Sequence, residues 1–163
     1  MARQLRQAYL STLITLVVQF LLGMATNLFV DIPTSHPGAQ PPEYFSGVFQ
    51  SVMWAILDGP SLLLAAHAVL GLLLVLSGFT LAFRAVRANH RPTLITSIIG
   101  AVAVLGAGFN GGSFLNYHED FSSMIMASFF AVAHAVGLWA LPQELPPDHA
   151  RSTVGRSTSG RAE

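Results

Sequence analysis

Residues 61–83 read SLLLAAHAVLGLLLVLSGFTLAF and carry no charged side chain. They lie in an uncharged gap of 25 residues between Asp58 and Arg84. A helix that crosses the hydrocarbon core of a bilayer needs about 20 mostly apolar residues. This stretch therefore predicts a transmembrane helix.

Three further gaps have the same character. The stretches 7–30, 92–118 and 121–143 contain 24, 27 and 23 uncharged residues. All nine prolines lie outside the helices that these gaps predict. We expect one membrane domain over 1–141, with transmembrane helices near 8–30, 61–83, 93–113 and 117–141.

The composition agrees with a membrane protein. Of the 163 residues, 52% are hydrophobic and 10% are charged, whereas a typical soluble domain has about 25% charged residues. The formal net charge is zero, so no basic surface indicates nucleic acid as a partner. The absence of cysteine excludes disulfides and thiolate chemistry.

The arginines predict the orientation. All eight basic residues are arginines, and they lie before the first predicted helix, between the second and third, and after the fourth. The positive-inside rule then places both termini in the cytoplasm. The lack of lysine, together with much alanine and glycine, is typical of GC-rich coding sequences. We therefore expect a multi-pass protein of a bacterial plasma (inner) membrane.

The first outer connection contains a further helix. In 44–57, Phe45, Val48, Phe49 and Val52 fall at helical spacing, and the segment has no charge. Fourteen residues are too few to span a bilayer, so we expect an interfacial or re-entrant helix, or a lid over the bundle. The fold class is therefore an all-α integral membrane protein, a four-transmembrane-helix up-down bundle with this extra helix.

Two boundaries depend on short motifs. Asn110-Gly111-Gly112 predicts the turn that ends the third transmembrane helix, although continuation of that helix towards Phe114 is the alternative. Asn116 and Glu119 then suit a capping arrangement at the start of the fourth. Beyond that helix, residues 142–163 are rich in Pro, Ser, Thr and Arg, which predicts a disordered cytoplasmic tail.

Polar residues on the first helix predict an inward face. Thr15, Gln19 and Thr26 recur at spacings of four and seven residues. The amide of Gln19 needs a hydrogen-bonding partner in hydrocarbon, so this face should point into the bundle. The residues predict either interhelical hydrogen bonds or a polar pathway through the membrane.

Three histidines are the candidate ligands. His67 and His134 both lie in an Ala-His-Ala-Val setting, and His118 lies at the edge of the fourth predicted helix. Neutral imidazole is a standard axial ligand of haem iron, and helix bundles hold cofactors between facing helices. The arrangement resembles the plan of small membrane b-type cytochromes. That resemblance implies a haem b held by His67 with His134 or His118.

The predicted depths in the membrane argue against pairing His67 with His134. His67 and His134 differ in depth by about 13 Å at 1.5 Å per residue, whereas His67 and His118 are closer. Hydrogen bonding of His67 or His134 to a neighbouring helix, for instance to Gln19, is the alternative. A proton or small-solute pathway is a further one.

The sequence predicts neither a catalytic set nor a metal site. It contains no phosphate-binding loop and no paired carboxylates within a span. We therefore expect a non-enzymatic membrane component surrounded by lipid, with haem-dependent electron transfer or haem handling as the most concrete version. A small transporter or channel component, or an accessory subunit of a larger membrane complex or homodimer, is the alternative.

Overall fold

A computed structural model describes residues 2–88 and 91–141, with side chains described over 6–87 and 91–141. This part of the chain forms five helices. They are α1 (Ala2–Phe29), α2 (Tyr44–Leu57), α3 (Leu62–Ala88), α4 (Arg91–Tyr117) and α5 (Asp120–Ala140). The tail predicted at 142–163 lies outside the described residues.

The four long helices are arranged as a ring. α3 packs beside α1 and α4, α5 packs beside α4, and a smaller contact between α1 and α5 closes the ring. All four are long and apolar enough to cross a membrane. Large apolar side chains such as Leu28 and Leu76 are more than 60% exposed on the outside of the bundle. These features indicate a multi-pass membrane protein, as the sequence predicted.

Two clusters of buried side chains define the ends of the bundle. Tyr9, Leu81 and Ala140 pack together at one end, which also carries Arg84 and Arg91 and is called the arginine end below. Leu64 and Leu115 pack together at the opposite end. α2 joins them there through Ala55, so this is called the α2 end.

α2 is docked onto the long helices instead of standing apart from them. It begins after Glu43, whose carboxylate accepts hydrogen bonds from the backbone N–H groups of Phe45 and Ser46 at 3.0 and 2.6 Å. Its small residues Gly47 and Ala55 are buried against α3 and α4. The extra helix predicted at 44–57 is therefore present, and it packs on both α3 and α4.

The predicted turn at Asn110-Gly111-Gly112 is wrong, because α4 continues to Tyr117. Asn110 donates to the carbonyl of Gly106 within the same helix. Gly112 is buried beneath Val48 of α2, so its missing side chain permits close helix packing instead of a turn.

The predicted capping by Asn116 and Glu119 is also not observed. Asn116 lies inside α4, and Glu119 precedes α5 without a side-chain capping bond. α4 instead ends at Tyr117, and the next residue, His118, has a left-handed φ of 56°.

The segment 30–43 connects α1 to α2 and is called the loop below. Buried polar groups hold the loop and α2 on the end of α4. The Asn116 side chain is 0% exposed. With its nitrogen facing the acceptors, Nδ2 lies 2.6 Å from Oγ of Ser51 and 3.1 Å from the carbonyl oxygen of Gly38. Oδ1 then accepts from the backbone N–H of Val48 at 3.3 Å. One side chain thus joins α4, the loop and α2.

The loop also caps the last carbonyls of α4. The backbone N–H of Gln40 donates to Asn116 and the imidazole of His36 donates from Nε2 to Leu115, both at 3.0 Å. His36 stacks on Trp54 of α2 at 4.1 Å between ring centroids. The last carbonyls of a helix lack intrahelical donors and need donors from elsewhere. These hydrogen bonds and the ring stacking therefore hold the loop on both α2 and α4.

Candidate functional site

An apolar cavity of about 370 Å³ lies between the four long helices, in the half of the bundle towards α2. Val48 and Val52 of α2 line it at the α2 end. The described residues around it include no Asp, Glu, Lys or Arg. Five aromatic rings contribute to its wall: Phe20, Phe109, Phe114, Phe129 and Phe130.

The cavity borders the seam between α1 and α5. Phe20 and Phe130 stack across this seam at 4.6 Å, and Leu13 lies against Gly137 nearer the arginine end. Towards the α2 end, Met24 of α1 and Ala127 of α5 line the cavity and are also exposed on the outside of the bundle.

An apolar cluster lies at the arginine end of the cavity. It consists of the buried residues Leu13, Leu16, Leu74, Ala103 and Ala133. Beyond this cluster, the hydroxyl of Tyr9 bonds the hydroxyl of Ser97. Leu16 and Leu74 line both this cavity and a smaller one of about 40 Å³ that Tyr9 and Ser97 also line.

Gln19 and His67 form the polar contact between α1 and α3 at the cavity wall. Nε2 of Gln19 donates to the backbone carbonyl of His67 at 3.0 Å and lies 3.5 Å from Nε2 of the imidazole. The interhelical hydrogen bond that was one alternative for these residues is therefore present. Both side chains also line the cavity.

Two glycines make room for this contact. A methyl placed on Gly23 would lie 2.8 Å from Cε1 of His67, and one placed on Gly71 would lie 3.1 Å from Nε2 of Gln19. In antiparallel helices, Gln19 with Gly23 and His67 with Gly71 form a reciprocal pair, each polar side chain packing over the other helix's glycine. The shared spacing of four residues is a sequence signal that could have predicted this pairing.

The contact leaves two polar atoms without partners. Because only the amide nitrogen can donate to the His67 carbonyl, Oε1 of Gln19 lies on the opposite edge of the amide. That oxygen and Nδ1 of His67 are both buried without a hydrogen-bond partner.

The other two candidate histidines lie in different surroundings. His134 stacks on Phe130 at 5.5 Å, on the seam between α1 and α5. His118 lies at the junction of α4 and α5, 6.1 Å from His36 between ring centroids. Of the three histidines, His67 lines the cavity. Haem ligation by His67 with His134 or His118 stays a prediction.

The predicted polar pathway on α1 is divided among separate environments. Thr15 donates to the carbonyl of Ser11 in its own helix. Gln19 and Thr26 line the cavity, and the hydroxyl of Thr26 is buried without a partner. A solute that follows these residues would have to pass the apolar layer that contains Leu16. The transporter alternative stays a prediction that requires this layer to open.

The residues that hold α2 over the cavity were missed by sequence reasoning. Asn116 was interpreted as a cap, and Ser51 lies within the segment that was predicted as an interfacial or re-entrant helix or a lid. Both are 0% exposed. A polar residue close to a predicted helix end gives no sign of the distant partner that buries it.

Comparison of the chain with protein-family models, curated proteins and solved structures finds no match. The class therefore rests on the fold and the site. The described residues form a helical bundle with four candidate membrane spans, a docked fifth helix and a mostly apolar cavity whose lining includes Gln19 and His67.

Proposed function

We propose that this chain is a non-enzymatic membrane protein that binds a neutral, lipid-soluble molecule in the cavity beneath α2. The observation that carries the proposal is the cavity itself. Its volume of about 370 Å³ falls within the range of roughly 300–1,000 Å³ found for small-molecule sites. Such sites combine a mostly apolar wall with a few polar groups that orient the ligand, which is the role of Gln19 and His67.

The exposed cavity-lining residues Met24 of α1 and Ala127 of α5 support a ligand that arrives from the bilayer. A charged molecule would lose its hydration without gaining an ion pair, because the described lining carries no charged side chain. A neutral apolar molecule gains contact with the phenylalanines and leaves no charge unpaired. α2 separates the ligand from the water at its end of the bundle.

A photolabelling experiment tests the proposal. The protein is placed in lipid vesicles with an uncharged hydrocarbon that carries a diazirine, and the labelled residues are identified by mass spectrometry. We expect saturable labelling at Met24 and Met126, which line the cavity. Ala68→Phe, which fills the cavity, should reduce this labelling about tenfold. Ala131→Phe is the matched control, because Ala131 is exposed on α5.

Labelling that spreads evenly over the lipid-facing surface and does not respond to Ala68→Phe would overturn the proposal. Both variants should remain monodisperse in detergent. A loss of labelling in the two variants alike would also contradict it, since the change would then not depend on the cavity.

We propose further that the arginine end faces the cytoplasm of a bacterial cell and that both termini lie there. The described basic residues Arg6, Arg84, Arg87 and Arg91 support this, because basic residues concentrate on the cytoplasmic side. Reporter fusions provide the test. Fusions after position 141 should be fluorescent with a cytoplasmic reporter, and fusions within 58–61 should be active with a periplasmic enzyme.

A haem b protein is a second candidate function. The buried Nδ1 atoms of His67 and His134 lack partners, and a free imidazole nitrogen is the atom that binds haem iron. Purified protein would then show a Soret band and sharp reduced α and β bands, and His67→Ala would remove them. A colourless protein that stays colourless after haem addition would overturn this candidate.

A further inference from the structure

An apolar strip on the outward surface of α2 is left largely uncovered by the described part of the chain. Phe45 and Phe49 are more than 60% exposed, and Met53 continues the strip one turn further along the helix. The opposite side of α2, which includes Gly47 and Ala55, is buried against α3 and α4. An exposed apolar patch of this kind marks a contact with a membrane or with another protein.

The contact between α2 and α4 indicates the depth of the strip. The ring of Phe45 meets that of Phe109 edge to face, at 5.9 Å between centroids. Phe109 lies eight residues before Tyr117, the last residue of α4, which is a rise of about 12 Å. α4 has 27 residues, so an upright α4 of about 40 Å projects about 5 Å beyond each side of a hydrocarbon core of about 30 Å. Phe109 then lies about 7 Å inside the hydrocarbon, with Phe45 beside it.

Phe109 also joins the strip to the outside of the bundle. Its ring is exposed on α4, which is one of the four candidate membrane spans. Where no protein covers it, a membrane-spanning helix is in contact with lipid. The strip on α2 extends the surface that a spanning α4 presents to acyl chains, and this continuity favours lipid over a second protein as the partner.

A polar strip runs beside the apolar one. Ser46 and Gln50 are exposed on α2, and Nε2 of Gln50 donates to Oγ of Ser46 at 2.9 Å. They directly follow Phe45 and Phe49 in the chain, so each lies about 100° further around the helix. A helix with an apolar and a polar strip side by side is suited to the boundary between hydrocarbon and water.

From these features we infer that α2 is embedded sideways in the membrane leaflet at its end of the bundle, where Phe45, Phe49 and Met53 contact the acyl chains of lipids. Ser46 and Gln50 face the headgroups and water. Of the arrangements that the sequence left open, this is the interfacial helix, held on α3 and α4 by its buried side. The inference concerns the outer surface of α2 and does not require a ligand in the cavity.

Spin labelling tests the contact, because the chain contains no cysteine. Phe49→Cys and Gln50→Cys each receive a nitroxide, and the full chain is placed in vesicles of phosphatidylcholine and phosphatidylglycerol. Power saturation then compares collisions with oxygen, which concentrates in hydrocarbon, and with a water-soluble nickel chelate. We expect an oxygen-to-nickel ratio at least about threefold higher at position 49 than at position 50, for an insertion of about 5–10 Å. Gln50→Cys is the matched control, since Gln50 is the exposed neighbour on the polar strip. Leu76→Cys, exposed on α3, provides the value for hydrocarbon.

Equal access of the nickel chelate to positions 49 and 50 would overturn the inference, because the strip would then face water. A label at position 49 that neither reagent reaches would also overturn it, because a protein such as a second copy of the chain would then cover the strip. Met53→Cys repeats the measurement on the same strip if Phe49→Cys does not fold. Saturable labelling of Met24 and Met126 by the diazirine hydrocarbon is independent of these results, so this inference and the proposed cavity ligand fail separately.

Discussion

Replacing Asn116 with alanine should detach the loop and α2 from the long helices. The substitution removes an amide that is 0% exposed and that lies against Ser51, Gly38 and Val48. The carbonyl of Gly38 would be left without this donor. The hydroxyl of Ser51 would keep only its longer bond to the carbonyl of Pro37, at 3.4 Å.

The size of the effect follows from these two groups. Each buried polar group left unpaired costs about 1–3 kcal/mol. Because Ser51 retains one contact, we expect about 2–4 kcal/mol less free energy for local opening of the α2 end. At about 1.4 kcal/mol per factor of ten, this is about a 30- to 700-fold increase in the opening equilibrium.

Hydrogen exchange followed by mass spectrometry measures this opening directly. Peptides that cover 36–57 should exchange faster by that factor in Asn116→Ala, while peptides from the centre of α3 should change little. Asn110→Ala is the matched control on the same helix, because its amide only donates to Gly106 one turn away. Acceleration below about threefold, or equal acceleration in both variants, would refute the role assigned to Asn116.

Two further predictions concern packing and the arginine end. Gly112→Ala should lower the stability in detergent by about 1–3 kcal/mol, because its methyl would lie 2.5 Å from Cγ1 of Val48. A methyl group on Gly100 would meet open space, so Gly100→Ala should raise the stability by up to about 1 kcal/mol. Equal thermal melts for the two variants would contradict the packing of Gly112 against Val48. Tyr9→Phe removes the buried hydroxyl bond between α1 and α4 and should cost about 1 kcal/mol. Tyr117→Phe, at a side chain that is 42% exposed, should cost less than half of that in the same melts.

The four long apolar helices were predictable because their composition is a local property of the sequence. A run of about 20 apolar residues without charge is favourable in hydrocarbon whatever the rest of the chain does. The stretch at 61–83 and its three counterparts needed no partner to be recognised. The short helix at 44–57 was likewise visible in its spacing of apolar residues.

Glycine and asparagine were misread at the end of α4 for a physical reason. Asn110-Gly111-Gly112 has the composition of a turn, but glycine also permits close helix packing. Which of the two applies depends on whether another element lies against it. Val48 of α2 occupies that place beside Gly112, and it lies 64 residues away in the sequence.

The candidate site was likewise predictable only in part. Gln19 and His67 were recognisable alone, because a polar side chain within a span is costly and needs a partner. Their contact depends on the register of α1 against α3, in which Gly23 faces His67 and Gly71 faces Gln19. The separate surroundings of His67, His118 and His134 depend on the same helix packing.

Hydropathy and charge along the chain thus gave the number of spans and their expected orientation, since transfer into hydrocarbon is a property of each segment. The cavity and the placement of α2 over it came only from the tertiary structure. An empty space is made by the surfaces of several helices at once, here by Val52, Gln19, His67 and their neighbours. No single segment contains the information on how those surfaces meet.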